Sequence, residues 1–311
     1  MYATHKGSCF CKSYKMIIQN FKDNIMMRVL VVGSTGYLGK FIVKNLIERN
    51  LQCVALARTP SKLQHLQQSI EIIEADVTNT SSLINCCDNI DIVISTLGIT
   101  KQQDGLSYMD IDYQANLNIL NEALRCAVKK FIYVSVFNGD ALQNLQICQA
   151  KEKFVNTLIN SGLDYCIVRP TGFFSDMTEF YNMAKKGRIY LFGKGQYKSN
   201  PIHGDDLAQV CIDAITEDQK QISVGGPDVF TQTELATLAF DVLSMPVKIT
   251  YIPDFIRVAL LKLCKLIFST AKYGPIEFFL NVLVMDMSAP KSGVHKLRRY
   301  FESLVNNKTS R

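Results

Sequence analysis

The 311-residue chain contains no tryptophan, and its cysteines form no pattern of the kind that binds metal ions. The ten cysteines are scattered, with neither a C-x-x-C pair nor the Cys/His spacing of a zinc site. We therefore expect no metal site. We interpret the cysteines as buried thiols, which are typical of a protein in a reducing compartment such as the cytoplasm.

Long apolar runs and dense blocks of one charge are also missing. No run reaches the about 18 apolar residues that indicate a membrane-spanning helix. The net charge of +6 is spread along the chain, without a Lys/Arg-rich block or a nucleic-acid-binding motif. This composition favours an anionic cofactor or substrate, or contact with a membrane surface, and it argues against a nucleic-acid partner.

Residues 1–25 lack the features of a secretory leader, because they contain no long apolar segment and no small-residue cleavage site. They precede the first strand and belong to no strand–helix unit. Met26 and Met27 stand immediately before that strand. We expect 1–25 to be a disordered extension or an artefact of an upstream translation start.

The clearest motif is residues 27–39, MRVLVVGSTGYLG, which combine a strand, a glycine-rich turn and the start of a helix. The first glycine permits the tight turn, the second lets the backbone approach a pyrophosphate, and the third lets the helix pack closely on the strand. The helix N-terminus favours an anion. The motif predicts a dinucleotide-binding turn, with glycines needed only for packing as the alternative. Its residues are Gly33, Ser34, Thr35, Gly36, Tyr37, Leu38 and Gly39.

Apolar strands and helical segments alternate after this turn, which is typical of a parallel sheet covered on both faces. The predicted strands are 28–32, 51–57, 70–75, 91–96, 130–136 and 163–170. Helices are predicted after Pro60 and over 80–87, 108–128 and 144–161. The pattern predicts an α/β domain with a doubly wound parallel sheet of the Rossmann type.

The end of the second strand predicts the choice of cofactor. An acid there would bond the ribose 2′-hydroxyl of NAD, but the chain has Arg58, with Lys62 one turn later. A guanidinium suits a 2′-phosphate, so we expect NADP(H), unless both cations are merely solvated. Asp76 and Val77 would lie at the adenine. Thr96, Leu97 and Gly98, after the fourth strand, would border the central part of the cofactor.

From residue 171 the regular alternation of strands and helices ends. A loop-rich stretch, 171–206, is followed by helices at 204–216 and 231–243 and strands at 220–224 and 248–252, which we expect to form a small substrate-side lobe. We divide the chain into the extension 1–25, an NAD(P)-binding Rossmann domain with substrate-side insertions over 26–250, and an apolar helical region over 251–311.

The segment 254–288 predicts two apolar helices. In the first, Arg257, Lys262 and Lys265 fall on one side, and Ile256, Leu260, Leu263 and Ile267 on the other. Helices packed on the core are one interpretation. A lid over an apolar substrate, or a peripheral contact with a membrane, is the other.

Several stretches resemble the atypical short-chain dehydrogenase/reductases. They are VLVVGSTGYLGKFIVKNL, KKFIYVSV, QAKEKF and RPTGFF. Two more, SVGGPDVFTQTELATLAFDVL and DMSAPKSGVHKLRRYF, are similar to the branch of the NmrA-like proteins and the divinyl (proto)chlorophyllide 8-vinyl reductases. The resemblance runs from about residue 27 to residue 305. It implies that Pro170, Thr171, Gly172 and Phe173 border the nicotinamide.

The chain departs from the family at the catalytic tyrosine. Typical members carry Tyr-x-x-x-Lys; Lys151 matches the lysine and Ser135 the usual serine, but Ile147 occupies the tyrosine position. The resemblance therefore implies that Lys151 and Ser135 are the catalytic residues. The resemblance implies that Lys151 bonds the nicotinamide ribose and lowers the pKa of a nearby proton donor; the alternative is a solvated helix cation beside Lys153. Tyr108, Tyr113 and His203 are candidate replacement acids, although His203 is more typical of a structural loop residue. Asp205 and Asp206 stand at a predicted helix start, which favours N-capping.

Three functions follow from the resemblance. The first, which we expect because Lys151 and the apolar C-terminal region favour it, is NADPH-dependent reduction of a conjugated C=C bond in an apolar small molecule, as in the vinyl reductases. The second is a non-catalytic NADP(H)-binding sensor or assembly factor, which the missing tyrosine favours. An epimerase or dehydratase is the third, and it normally needs that tyrosine. The residues name neither the substrate nor the oligomeric state.

Overall fold

The computed structural model describes residues 27–99, 102 and 105–309, so the predicted extension 1–25 lies outside the described part. The strands are β1 (Arg28–Val32), β2 (Gln52–Ala57), β3 (Glu71–Glu74), β4 (Ile92–Ser95), β5 (Lys130–Val134), β6 (Asp164–Pro170), β7 (Ile189–Phe192), β8 (Lys198–Ser199), β9 (Gln221–Val224), β10 (Phe230–Thr231) and β11 (Ile249–Ile252). The α-helices are α1 (Tyr37–Glu48), α2 (Asn116–Arg125), α3 (Gln146–Ile159), α4 (Thr178–Lys185), α5 (Gly204–Asp213), α6 (Gln232–Val242), α7 (Asp254–Ile267), α8 (Thr270–Val282) and α9 (Leu297–Thr309).

Seven strands form one parallel sheet in the order β3-β2-β1-β4-β5-β6-β9. The first six of these have the order of the doubly wound Rossmann fold, so the predicted fold class is confirmed. In such a sheet, the carboxyl ends of β1 and β4 diverge into loops at the point where the strand order reverses. Ligands bind at this edge.

Both faces of the sheet are covered because the central strands are apolar on both sides. Along β1, Val29 and Val31 join a buried cluster with α1 and α5. Leu30 and Val32 point the other way, into a cluster with α2 and α3. This two-sided burial explains why the strands appear in the sequence as continuous apolar runs rather than as alternating ones.

Three of the predicted helices have a different form. The helix after Pro60 is a 3₁₀ helix, Pro60–Leu66. The predicted helix 80–87 is wrong beyond its first turn, because only Thr80–Leu83 is helical, as a 3₁₀ turn capped by the side chain of Asn79. The predicted helix 108–128 begins with a π-helical turn, Met109–Ala115, and continues as α2. The Asn116 amide donates to the carbonyls of Ile111 (3.4 Å) and Asp112 (3.0 Å) in that turn.

A third buried cluster lies outside the seven-stranded sheet. It is built from α4, α6, α9 and β7, and β7 pairs in parallel with β11. The stretch predicted to be loop-rich contains α4 and β7. The prediction that 204–216 and 220–224 belong to the substrate-side lobe is wrong, because α5 packs on α1 and β9 is the seventh strand of the main sheet. Helix α9 lies in the predicted helical region 251–311, although its bounds were not predicted; its Leu297 and Phe301 are fully enclosed in this third cluster. We call the elements of this cluster the small lobe.

Helices α7 and α8 form the outer layer of the molecule next to α3, with α8 contacting α3 and α7 contacting α8. The prediction grouped Arg257 with Lys262 and Lys265 on one side of α7, but only the two lysines are exposed. The guanidinium of Arg257 is buried, donating to Asp254 Oδ1 (2.6 Å) and to Asn281 Oδ1 (3.1 Å).

Candidate functional site

The glycine turn has the geometry that a dinucleotide site requires. Gly33 adopts φ +83°, in the left-handed region that favours glycine. A Cβ on Gly39 would lie 2.1 Å from the Gly33 carbonyl oxygen, so only glycine permits this approach of α1 to the turn. Gly36 differs, because a Cβ there would meet only the Gly33 oxygen, at 3.1 Å, among the described residues. Gly36 is exposed at the N-terminus of α1, a position that favours an anion.

The other residues of the turn divide between structural and exposed roles. The Ser34 hydroxyl is buried and donates to the Leu56 carbonyl (2.8 Å), and Leu38 belongs to the core. Their side chains are therefore committed to the fold, and only their backbone can face a phosphate. Thr35 is half-buried, and Tyr37 is exposed beside the turn.

The two cations that are predicted to select NADP(H) over NAD lie at the surface. Arg58 and Lys62 are both exposed, directly after β2. Asp76 accepts from the Thr78 hydroxyl (2.7 Å) and amide (2.9 Å), which, with a smaller contribution from Arg58, hold the pKa of its carboxyl below the ordinary value. Val77 is half-buried and its carbonyl accepts from Asn118 (3.0 Å). The positive charge of Arg58 remains available to an anionic ligand.

The loop after β4 closes the other side of the turn. The Thr96 hydroxyl donates to the Val32 carbonyl (3.1 Å), and the Leu97 amide to Ser95 Oγ (3.3 Å). Ser95 in turn donates to Asn116 (2.6 Å), which ties this strand end to the π-helical turn. Gly98 follows on the surface.

Directly beneath Gly98 lies a buried ion pair. Lys151 Nζ is 2.9 Å from Asp112 Oδ1, with side chains 11% and 0% exposed. A Cβ on Gly98 would lie 2.6 Å from Lys151 Nζ and 2.7 Å from Asp112 Oδ1. The second oxygen, Asp112 Oδ2, accepts from the Ile99 amide (3.2 Å). Lys151 is thus not a solvated helix cation, whereas Lys153, on the same helix, is exposed.

The surroundings of Lys151 fix its charge. Burial alone lowers the pKa of the ammonium, but Asp112 and the buried Tyr133 outweigh it, so the pKa lies above its ordinary value. Tyr133 contributes its ring, whose centroid is 5.6 Å from Lys151 Nζ. Lys151 therefore holds its proton at neutral pH and acts as a fixed cation beneath the loop.

Ser135, the predicted catalytic serine, belongs to a neighbouring network. Its hydroxyl lies 3.1 Å from Glu152 Oε1, and Glu152 receives a bidentate pair of bonds from Arg169 (2.6 and 2.7 Å). Both charges are buried. This network links the ends of β5 and β6 to α3, one residue away from Lys151.

The loop after β6 meets the glycine turn. Gly172 has φ +153°, and the Thr171 hydroxyl donates to the Asn200 carbonyl (2.7 Å). The ring of Phe173 packs edge-on against Tyr37 at 5.3 Å between centroids. The loop Pro170–Phe173 thus lies beside the glycine turn at the carboxyl edge of the sheet.

The candidate replacement acids are not equivalent. Tyr108 is buried, which raises its pKa to about 12, and it packs with Ile147. Tyr113 is half-buried beneath the ammonium of Lys153, 4.2 Å from its ring centroid. His203 caps α5, with Nδ1 accepting from the Asp205 amide (3.2 Å). The geometry therefore supports the interpretation of His203 as a structural loop residue.

The prediction that Asp205 and Asp206 cap α5 is wrong, because His203 is the cap. Asp205 instead accepts from Asn45 (2.9 Å) in α1. The buried Asp206 accepts from the amide and ring nitrogen of His295 (3.0 and 2.8 Å). Both acids still lie in the first turn, where the helix dipole favours them.

Sequence reasoning missed Asp112. A signal was present, because residues 108, 112, 115 and 119 share one face of a helix and this face is otherwise apolar or aromatic. A single acid on a buried stripe needs a partner, and Lys151 is that partner.

Comparison with known proteins agrees with this geometry. A family model described as NAD(P)H-binding matches residues 33–218. The divinyl chlorophyllide a 8-vinyl-reductase of Arabidopsis thaliana is 30% identical over 86% of this chain and 71% of that protein. The photosystem II assembly factor Ycf39 of Synechocystis is 25% identical, over 73% of this chain and 71% of that protein.

Solved structures share the fold. The NADPH-dependent quinone oxidoreductase of Escherichia coli, complexed with NADPH, superimposes with a TM-score of 0.68 at 18% identity, covering 89% of this chain and all of that one. The family model spans more than half of the chain, from the glycine turn through α5. The chain therefore belongs to the NAD(P)H-binding family, among the NmrA-like atypical short-chain dehydrogenase/reductases.

Proposed function

We propose that the protein is an NADPH-dependent reductase that acts on a conjugated C=C bond of an apolar small molecule, as the name of its vinyl-reductase relative suggests. The observation that carries this proposal is the buried Lys151–Asp112 pair under Gly98, in the loop after β4 at the carboxyl edge of the sheet. Burying a charge is costly unless it is paired, so an ion pair kept at a ligand-binding edge points to a role there.

The residues divide the work as follows. The bound cofactor supplies the hydride. Asp112 fixes the ammonium of Lys151, which would bond the nicotinamide ribose and stabilise the negative charge that develops on a conjugated substrate. Because Lys151 retains its proton at neutral pH, we assign the substrate's proton to water or another acid. Ser135 would act as a positioning residue, holding Glu152 and, through it, α3.

The substrate wall supports an apolar ligand. Ile147, where related enzymes carry a tyrosine, lies in a cluster with Tyr108 and Leu142. Phe278 of α8 and Met285 pack on this cluster while remaining partly exposed. The wall beside Lys151 is therefore apolar where the family's usual acid would be, which suits reduction of a C=C bond better than ketone chemistry.

The test is NADPH oxidation with a panel of conjugated substrates, including divinyl chlorophyllide a and a quinone. Lys151→Ala is expected to lower kcat on the order of a hundredfold, with a small change in NADPH affinity, because a misplaced cofactor harms the geometry of hydride transfer. The matched control is Lys153→Ala, which removes the same charge from the exposed face of α3. Equal effects of the two variants would refute the assignment of Lys151.

A second candidate is a non-catalytic NADP(H)-binding sensor or assembly factor. The loss of the tyrosine hydroxyl at Ile147 favours it, and so does the similarity to Ycf39. This function predicts no turnover with any member of the panel, but different affinities for NADPH and NADP⁺. We place either function in a reducing compartment such as the cytoplasm, because the cysteines of the described residues are free thiols.

A further inference from the structure

Helix α7 buries an arginine and exposes most of its apolar residues, which is the reverse of an ordinary surface helix. Its buried positions are Arg257 and Cys264, and Leu261 is half-buried between them. The guanidinium is satisfied by Asp254 and Asn281 rather than by water. A surface helix usually buries its apolar side and exposes its charges. Here the leucines occupy the outer side.

The outer side is large and contiguous. At about 100° per residue, most of the exposed apolar residues of α7 fall on one side of the helix. Leu266 is 85% exposed and Phe255 71%. The others are Ile256, Leu260, Leu263 and Ile267, and Phe268 and Phe279 extend the surface towards α8. We call these eight residues the α7 surface. Exposed single apolar residues are normal, but a continuous group marks an interaction site.

The charges beside the α7 surface have one sign. Lys262 and Lys265 are exposed along its edge, and Lys272 follows at the start of α8. The sequence has no acid from 255 to 276. Asp254 is bonded to Arg257, and Glu277 is half-buried. The surface therefore presents an apolar centre with a cationic edge, which complements an anionic lipid surface.

The length of the helix sets how it would bind. Within the described residues, no helix is long and apolar enough to cross a bilayer. A helix with a wide apolar side and lysines at its edge instead lies in the plane of the interface, where long lysine stems reach the headgroups. A second copy facing the same surface would bring Lys262 and Lys265 to the contact without an acid from 255–276 to pair with them.

We propose that the α7 surface docks the protein on an anionic lipid bilayer. Its apolar side chains lie below the headgroups, and Lys262 and Lys265 lie at the level of the headgroups. Helix α8 connects this surface to the site, because its Gly274 packs on Tyr108 and its Phe278 on the cluster containing Ile147. The docking does not depend on the proposed reductase activity. If that activity holds, an apolar substrate would reach Lys151 from the bilayer.

The test is flotation of the full chain with vesicles of phosphatidylcholine alone, or of phosphatidylcholine and phosphatidylglycerol in equal parts. We expect binding to the anionic vesicles, weakened at high salt because the Debye length falls to about 3 Å at 1 M. The double variant Leu263→Gln/Leu266→Gln should lose most of this binding. Because both side chains face outward, the fold should survive, which the melting temperature and NADPH affinity would verify.

Two further variants separate the contributions. Lys262→Gln and Lys265→Gln should each weaken binding to anionic vesicles about fivefold, and binding to neutral vesicles much less. The matched control is Ile84→Gln. Ile84 is also an exposed apolar residue, but it lies between β3 and β4 and not in α7 or α8. This variant should leave flotation unchanged.

Three results would overturn the proposal. One is absence of flotation at low salt. Another is flotation that Leu263→Gln/Leu266→Gln and Ile84→Gln affect equally. The third is a wild-type dimer, seen by sedimentation, that Leu263→Gln/Leu266→Gln dissociates, since a second copy would then cover the surface. Turnover measured without vesicles is independent of all three, so failure of the docking and failure of the reductase can be told apart.

Discussion

At the scale of single residues, the three glycines of the turn have different physical tasks. Gly39 is required by the protein itself, since a Cβ would collide with the Gly33 carbonyl at 2.1 Å. Gly36 is not, because its φ of −73° is open to any residue and the space above it is free of the described protein atoms beyond Gly33. Its small size matters only if a ligand approaches there.

This difference gives a prediction. Gly36→Val should abolish most NADPH binding and leave the melting temperature nearly unchanged, because the branched side chain fills the path of the pyrophosphate. Gly39→Ala should lower the melting temperature as well, because the turn must open. Calorimetric titration and thermal unfolding of both variants measure the two effects. Normal NADPH binding by Gly36→Val would contradict the site.

Arg58 gives a second prediction. Arg58→Ala should weaken NADPH binding about tenfold to a hundredfold and NADH binding little, because a charge-assisted hydrogen bond contributes about 1.5–3 kcal/mol and only NADPH has the 2′-phosphate. The control is Arg125→Ala, another exposed arginine, which is bonded to Asp88 (2.9 Å) far from β2 in the chain. Equal losses for both cofactors would remove Arg58 as the selector.

The sequence indicated one partner of the buried ion pair and not the other. Lys151 was found through a motif at a fixed spacing. Asp112 lies 39 residues earlier, and no short motif connects the two positions. Their contact depends on the packing of α3 against the π-helical turn, which is a long-range property.

At the scale of elements, the N-terminus of α5 rests on a titratable cap. His203 Nδ1 accepts from the Asp205 amide, and its ring stacks on His295 at 4.2 Å between centroids. Burial, followed by the neighbouring His295, holds the pKa of His203 below its ordinary 6.5. Protonation at Nδ1 would remove the acceptor that caps the helix.

The sign of the pH effect follows. A histidine whose pKa is lower in the folded state binds fewer protons there than in the unfolded chain, so its contribution to stability falls as the pH drops below about 6.5. His203→Asn keeps a capping acceptor but does not titrate. We expect the melting temperature of the wild type to fall more steeply from about pH 7.5 to pH 5.5 than that of His203→Asn. Parallel curves would contradict this origin.

Elements were predicted well where burial alone decides them. The sheet strands appear in the sequence because two-sided burial requires continuous apolar runs. Helix α9 was not singled out within the predicted helical region 251–311, although its sequence carries an apolar stripe at helical spacing. Leu297, Tyr300, Phe301, Leu304 and Val305 all pack in the small-lobe cluster. In α7 the periodicity grouped Arg257 with Lys262 and Lys265, but it cannot say which side faces protein, and of the three only Arg257 is buried. Arg257 is buried because Asp254 and Asn281 satisfy it, which needs the packed structure.

At the scale of the whole molecule, the small lobe joins distant parts of the chain. Its cluster contains Phe174 and Leu191, Leu235 and Phe240, and Leu297 and Phe301. The last of these come from α9, close to the C-terminal end of the described residues. The stability of the lobe therefore depends on a helix that the first two thirds of the chain do not contain.

We expect Phe301→Ala to lower the free energy of unfolding by about 3–5 kcal/mol, the usual cost of removing a buried aromatic ring. Glu302→Ala, on the exposed side of the same helix, should change it by less than about 0.5 kcal/mol. Denaturant unfolding followed by circular dichroism measures both. A loss for Phe301→Ala no larger than the control would mean that α9 is not part of the cooperative unit.

The π-helical turn at Met109–Ala115 also bears on how this site arose. Such a turn holds one residue more than the α-helical path between the same ends, and π-bulges of this kind are frequent at functional sites. Removing one residue there would restore α-helical geometry and rotate Asp112 by about 100° away from Lys151. The ion pair therefore depends on the number of residues in this turn as well as on the identities of Asp112 and Lys151. In an alignment of relatives, a one-residue gap between 108 and 116 would mark the members that have lost it, even where an aspartate and a lysine are both retained.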